Sequence, residues 1–240
     1  MSQPAEDNTL QRVMGIFAHP DDPEFFCGGT FAKWAAEGRL IVFALATSGD
    51  KGSRDLEITS EQLAELREAE ERAAAARLGV EDVIFLRYPD GELQPTLDLR
   101  RQLTRLIRLK QPDIVVTNDP TARWYGSHYI NHPDHRAIGD AVLDAVFPAA
   151  RNHLYFPELF RVEGLAPHTV RQVYLCGAQE PNAKIDVTSY VEAKIEALRE
   201  HKSQIADMEA MATRQRDAID PEFVGDGKRY TESFRVFDLG

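Results

Sequence analysis

Only two of the 240 residues are cysteine, Cys27 and Cys176, at unrelated positions. That is too few thiols for a disulfide framework or a cysteine-based zinc knuckle. Basic charge is also scarce: 28 Lys and Arg against 39 Asp and Glu give a formal net charge of −11. No global positive field therefore draws the chain to nucleic acid or anionic lipid. No apolar run approaches the ~20 residues that span a bilayer, so no membrane span is expected. The opening MSQPAEDNTLQ is polar and acidic, unlike a secretory signal, which predicts a flexible 1–11 segment on a cytoplasmic protein. No GxGxxG follows an apolar run, and with it goes any sign of a dinucleotide site. Repeats, low-complexity tracts and linker-like stretches are missing too, so a single domain over 1–240 is expected.

What the chain does contain is alternation. RVMGIFA at 12–18 and LIVFALAT at 40–47 are nearly continuous apolar runs, as strands buried on both faces are. Between them an alanine-rich stretch from Gly28 to Glu37 ends at Gly38, a helix closed by a C-terminal glycine. Thr59 and Gln62 form a capping box, after which Leu63, Leu66, Ala69, Ala73 and Ala76 recur at helical spacing up to Gly79. Strands at 83–87 and 113–117 bracket a helix at about 98–110, and a further helix runs from HPDH through Val146. An irregular proline-containing excursion at 147–168, a strand at 170–176, one long helix at 188–211 and a short strand at 231–237 complete the expectation. The fold class is α/β, a Rossmann-like three-layer domain with a mainly parallel central sheet.

Two short motifs carry chemistry. In AHPDDPE, 18–24, a buried strand delivers His19, Asp21 and Asp22 to its C-terminal end, where open parallel sheets place their active sites. His19 and Asp22 can face one ion across a tight turn, with Asp21 turned toward bound water instead. An Asp–Asp pair after a strand can also simply cap the next helix. HPDH at 132–135 opens a helix after the fourth strand and supplies His132, Asp134 and His135 at another strand end. Alone it reads more readily as helix-terminal histidines with a dipole partner. Together, the motifs face each other if the first and fourth strands are neighbours, and adjacent buried acids then favour a cation.

The two motifs, with HPDDPEFFCGGTFAKWAAEG (19–38), LREAEERAAAARLGV (66–80), YPDGEL (88–93) and AKIEALREHKSQ (193–204), resemble the LmbE-like, or PIG-L, family of zinc-dependent N-acetylglucosaminyl deacetylases. The resemblance implies that His19, Asp22 and His135 hold Zn2+ or another divalent metal. It implies Asp21 as general base, His132 as oxyanion stabiliser or acid, Asp134 as the group that orients His132, and Arg67 as a substrate contact. Asp134 would then favour imidazolium at His132. A tyrosine that touches the intermediate does not align; Ile130 stands two before His132, with Tyr125 and Tyr129 nearby. The implied substrate is a small N-acyl amino sugar or conjugate, and some relatives form homo-oligomers.

Other residues have blander readings. Cys27 is a bystander, His153 and His168 are surface residues, and His201 packs on a helix. Asp90 and Gly91 make a turn first and line a site second. Asn118 and Asp119 fall near the crevice by strand position. The Arg run at 100–108 is a solvated face. His128, Trp124 and Tyr125 sit in the loop before HPDH, either solvated, packed or facing substrate. Besides the amino-sugar hydrolase, a hydrolase of a different amide and a non-catalytic metal module remain open; the base-like Asp21 speaks against the last.

Overall fold

The computed structural model describes residues 11–223 and 229–240. Of the expected flexible segment, 1–10 lies outside these residues, whereas Gln11 is tied down, its backbone N–H donating to Asp113 Oδ2 at 3.0 Å. In chain order the elements are β1 (Arg12–Phe17), α1 (Asp22–Ala36), β2 (Leu40–Thr47), α2 (Ser60–Arg77), β3 (Asp82–Tyr88), α3 (Leu97–Lys110), β4 (Ile114–Asn118), β5 (Trp124–Tyr125), β6 (Tyr129–Ile130), α4 (Pro133–Asp144), α5 (Pro157–Arg161), β7 (Gln172–Cys176), β8 (Ala183–Asp186), α6 (Val191–Leu198), α7 (Met208–Asp217) and β9 (Thr231–Asp238).

Seven strands form one sheet in the order β3-β2-β1-β4-β7-β9-β8, and β5 pairs with β6 in a small hairpin. The first five of that order are parallel; β9 runs antiparallel to both β7 and β8. The chain winds outward from β1 to β3, then returns to place β4 on the other side of β1, pairing Val13 with Ile114 and Gly15 with Val116. That reversal is the topological switch point, and it opens a crevice beyond the carboxyl ends of β1 and β4.

Period-two alternation divides the core between the sheet's faces. Val13, Phe17, Ile41, Phe43, Leu45, Ile114, Val116 and Tyr174 pack on the side of α1 and α2. Met14, Ile16, Ala44, Ala46, Val115, Val173 and Leu175 pack against α3 and α4. The result is a three-layer α/β domain, as expected.

Several local expectations need correction. The first helix begins at Asp22, where Pro23 suits the opening turn, and breaks at Cys27 (φ −150°, ψ 28°). Its second half gains a new N-terminus that Glu232 of β9 caps, accepting from Gly29 N at 3.1 Å and Thr30 N at 2.7 Å while Lys194 pairs with it at 2.7 Å. The stretch 188–211 is not one helix. It is interrupted between α6 and α7 because His201 turns fully inward and Asp207 caps a fresh helix, accepting from Ala210 N at 2.9 Å. Helix α2 has its capping box, yet its buried face is Leu63, Arg67, Glu70, Glu71, Ala74 and Ala75, so Leu66, Ala69, Ala73 and Ala76 point outward. In α3 the Arg run is not merely solvated. Arg108 is only 2% exposed, and its guanidinium donates to the carbonyls of Ala149, Ala150, Asn152 and Tyr155, organising the irregular excursion. His168 is half-buried and bonded to Pro112 O at 2.7 Å.

Candidate metal centre and active site

Two elements deliver the site to the switch-point crevice. The backbone after β1 is pinned from β2, whose Thr47 donates N–H and Oγ1–H to Ala18 O at 2.8 and 3.0 Å. The chain then turns sharply at Asp21, which adopts φ 88°. A left-handed backbone is costly for most side chains and least so for Asp and Asn among the bulkier ones. The turn separates Asp21 from Asp22, so neighbouring carboxylates take different directions. Opposite them α4 begins, with His132 Nδ1 accepting the Asp134 N–H at 3.3 Å. Gly139 lets α4 settle on the end of β4, since a Cβ there would lie 2.5 Å from Asn118 O.

The ligand atoms of His19, Asp22 and His135 all lie within 4.8 Å of one another, and all three residues are buried. Asp22 bridges the pair: Oδ1 is 3.0 Å from His135 Nε2 and Oδ2 3.3 Å from His19 Nδ1. Each imidazole is oriented from behind. Asn131 Oδ1 sits 2.8 Å from His135 Nδ1, and Asn131 is itself anchored, donating to Ala122 O at 2.7 Å. Asp90 Oδ1 and Asp134 Oδ2 lie 3.1 and 3.3 Å from His19 Nε2. With the outer nitrogens as donors, His19 Nδ1 and His135 Nε2 keep their lone pairs for the space between them. A set of two imidazole nitrogens and a carboxylate, each with an outer partner, fits a divalent metal.

The electrostatics agree. Burial works against charge on His19, but Asp22, Asp134 and Asp90 outweigh it and hold its pKa well above the ordinary value. Burial likewise opposes ionisation of Asp22, and His135 with His19 overcomes it, keeping this carboxyl well below the usual range. Asp21 behaves oppositely: burial pushes it up to about 6 although Arg67 pulls it down. Acidic groups thus surround the histidines, a field that favours added positive charge.

Asp134 and Arg67 have further partners that the sequence did not indicate. Asp134 Oδ2 accepts from Gly91 N at 2.8 Å and faces His19, and Oδ1 accepts from Leu93 N at 3.3 Å; its carboxylate also groups with Asp90, His19 and His132 within 4.8 Å. Asp90 also faces the His132 ring, its Oδ1 3.9 Å from Nε2. Burial and the nearby His19 lower the His132 pKa, while Asp134 and then Asp90 pull it up, the direction expected of Asp134. Arg67 is buried, and its guanidinium is engaged by the protein: Nη2 donates to Pro20 O at 2.7 Å and Asp21 Oδ2 at 3.2 Å, Nη1 to Gly49 O at 3.0 Å. Gly49 permits this approach, because a Cβ there would collide with Nη1 at 2.1 Å.

These side chains line a cavity of about 420 Å³ with His19, Asp21, Asp22, Arg67, Asp90, His132 and His135 on its wall. Phe25, Phe26, Tyr129, Gly52 and Gln204 complete it. Of this last group, Phe25 and Phe26 come from α1, Tyr129 from β6, Gly52 from the loop after β2 and Gln204 from the turn between α6 and α7. Asp90, read from the sequence as a turn first and a site wall second, is on the wall. Asn118 and Asp119 are not in this lining; Asn118 bonds toward Cys176, and Asp119 accepts from Thr121. Trp124 is 61% exposed, while Tyr125 donates to Gly177 O at 2.8 Å. His128 is exposed beside Ser127. Cys27 is buried and free, in none of the groups suited to a metal among the described residues. No helix among those residues is long and apolar enough to cross a membrane.

Comparison with known proteins places these residues in context. Residues 14–146, which contain both motifs, match the PIG-L family, described as GlcNAc-PI de-N-acetylase. The diacetylchitobiose deacetylase of Thermococcus kodakarensis is 34% identical over 200 residues, covering 83% of this chain and 72% of that protein. A 1D-myo-inositol 2-acetamido-2-deoxy-alpha-D-glucopyranoside deacetylase of Mycobacteroides abscessus is 29% identical over 236 residues, covering 82% of each. Among solved structures, the N,N'-diacetylchitobiose deacetylase of Pyrococcus horikoshii, complexed with its inhibitor MPG, superposes with a TM-score of 0.82 at 30% identity, covering 95% of this chain and 84% of that one. The agreement extends from the motifs through the whole sheet, and the chain belongs to the PIG-L family of de-N-acetylases.

Proposed function

We propose that this protein is a metal-dependent hydrolase that removes an acetyl or similar acyl group from the amine of an N-acetylglucosamine-type sugar or its conjugate. The observation that carries the reading is the meeting of His19 Nδ1, Asp22 and His135 Nε2 beside a cavity wall bearing Asp21 and His132. A divalent cation held by these three, zinc by the chemistry of the donor set, would polarise an amide carbonyl and acidify water. Asp21, turned away from the ligands and steadied by Arg67, accepts the proton of the attacking water. His132, on the same wall and facing Asp90, stabilises the negative charge that grows on the carbonyl oxygen. The departing amine takes its proton from His132 or back from Asp21, without which it leaves poorly. Phe25, Phe26 and Tyr129 offer apolar surface on which a sugar ring can pack.

Metal-reconstituted protein incubated with N-acetylglucosaminides of different aglycones is expected to release acetate and leave free amine. Activity on N-acetylated peptides with none on any sugar would remove the amino-sugar assignment and spare the mechanism. Metal binding without hydrolysis of any amide would remove the enzymatic reading.

A further inference from the structure

Asp21 is gripped by two residues of a single helix. Arg67 and Glu71 stand four apart on α2 and so share its buried face. Arg67 holds the Asp21 side chain and the preceding carbonyl, whereas Glu71 Oε2 accepts the Asp21 backbone N–H at 3.0 Å. That N–H belongs to a residue at φ 88°. Such a backbone is strained for a non-glycine residue and persists only where its surroundings enforce it. We infer that Glu71 is a positioning residue for Asp21, fixing the left-handed turn that aims the base into the cavity. The inference rests on the role of Asp21 proposed above.

Glu71 is braced for this task. It is fully buried, with His201 Nε2 3.8 Å from Oε2. His201, also fully buried, pairs at 3.3 Å with Glu24 Oε2, one turn beyond the Asp21 bend. The neighbouring Glu70 accepts from Ser203 N at 2.8 Å and Ser203 Oγ at 2.6 Å, tying the segment after α6 onto α2. A route therefore runs from the break between α6 and α7 through His201 and Glu71 to the backbone of the base. If Glu71 served only His201, replacing it would weaken the protein without moving Asp21.

Two substitutions separate these cases. Glu71→Met keeps a chain of similar length and removes the acceptor; Glu71→Gln keeps a carbonyl oxygen. In crystal structures, residue 21 is expected to leave the left-handed region in Glu71→Met and to stay there in Glu71→Gln. With metal restored, Glu71→Met should lower kcat ~10–100-fold, the scale of a misplaced catalytic group. Its KM should hold within about twofold and its metal content should be unchanged, because only the base is displaced. Glu71→Gln should recover to within ~5-fold, and in an Asp21→Ala background Glu71→Met should cost less than ~3-fold, since both act through one group. An unmoved residue 21 in Glu71→Met, equal losses in both backgrounds, or equal losses for Met and Gln would overturn the inference. If the wild-type protein hydrolyses no N-acetylglucosaminide, the functional reading fails and the conformation at residue 21 alone decides this one. Should Glu71→Met not fold, amide exchange at Asp21 in the wild-type protein decides: protection supports the clamp, and exchange at the rate of a free loop refutes it.

Discussion

His135 Nδ1 lies 2.8 Å from Asn131 Oδ1, so the face of this imidazole that looks into the crevice is chosen by an amide four residues earlier. Asn131 is 2% exposed and is locked by its own bond to Ala122 O. Nothing about Asn131 suggested a role in the sequence, because its anchor at Ala122 exists only once β5 pairs with β6 and brings the two ends of that loop together. Partners of this kind typically matter 10–100-fold to metal affinity. Asn131→Ala is therefore expected to weaken metal binding by about that factor, measured by competition with a chelator. An unchanged affinity would mean that His135 needs no help to face the ion.

Arg67 makes a related prediction for the base. Its fork reaches Asp21, Pro20 O and Gly49 O together, which an ammonium cannot reproduce. Arg67→Lys should retain metal but lose roughly 10–100-fold in kcat as Asp21 shifts in its turn. Steady-state kinetics alongside metal analysis provide the check. A change confined to KM would instead make Arg67 a substrate contact.

Far from the site, Arg108 should govern stability. It satisfies four carbonyls of the excursion between α4 and β7 from a position almost sealed from solvent. Arg108→Ala leaves those acceptors buried and opens a cavity, at a cost of about 3–5 kcal/mol. Urea denaturation reads this directly, and a loss under about 1 kcal/mol would show that water replaces the guanidinium freely.

Acid should loosen the C-terminal edge of the sheet. Burial opposes ionisation of Asp220, but Lys184, Thr231 Oγ1 and Glu222 N hold its carboxyl down at about 2. A carboxyl whose folded pKa lies below its ordinary value stabilises fully above about pH 4 and less as pH falls toward about 2. Asp220→Asn should flatten the fall in urea midpoint over that window and be less stable than wild type at pH 7. Identical pH slopes in the two proteins would contradict it.

The strands and the two motifs were legible because apolar runs on both faces and strand-end acids leave local marks. The helix at α2 was legible too, but its buried face was not. Hydrophobic periodicity selects Leu66, Ala69 and Ala73, while the structure buries Arg67 and Glu71, which bond to the Asp21 turn, and Glu70, which bonds to Ser203. Polar residues buried for function defeat a pattern that equates polarity with solvent. The same cause hid the break after α6, where His201 is buried on account of Glu24 and Glu71. Asp90 and Asp134 show another limit: sequence proximity paired Asp134 with His132, and the turn before α3 brings Asp90 to that ring as well.

The central claim is that Asp21 performs chemistry while His19, Asp22 and His135 hold the metal. It is tested most directly by the rate of acetate release by Asp21→Ala at a metal occupancy fixed by analysis and compared with His19→Ala. The account predicts that Asp21→Ala binds metal as the wild-type protein does and loses roughly 10²–10⁴ in rate, whereas His19→Ala loses the metal itself. Equal loss of metal in both variants, or an undiminished rate in Asp21→Ala, would contradict it.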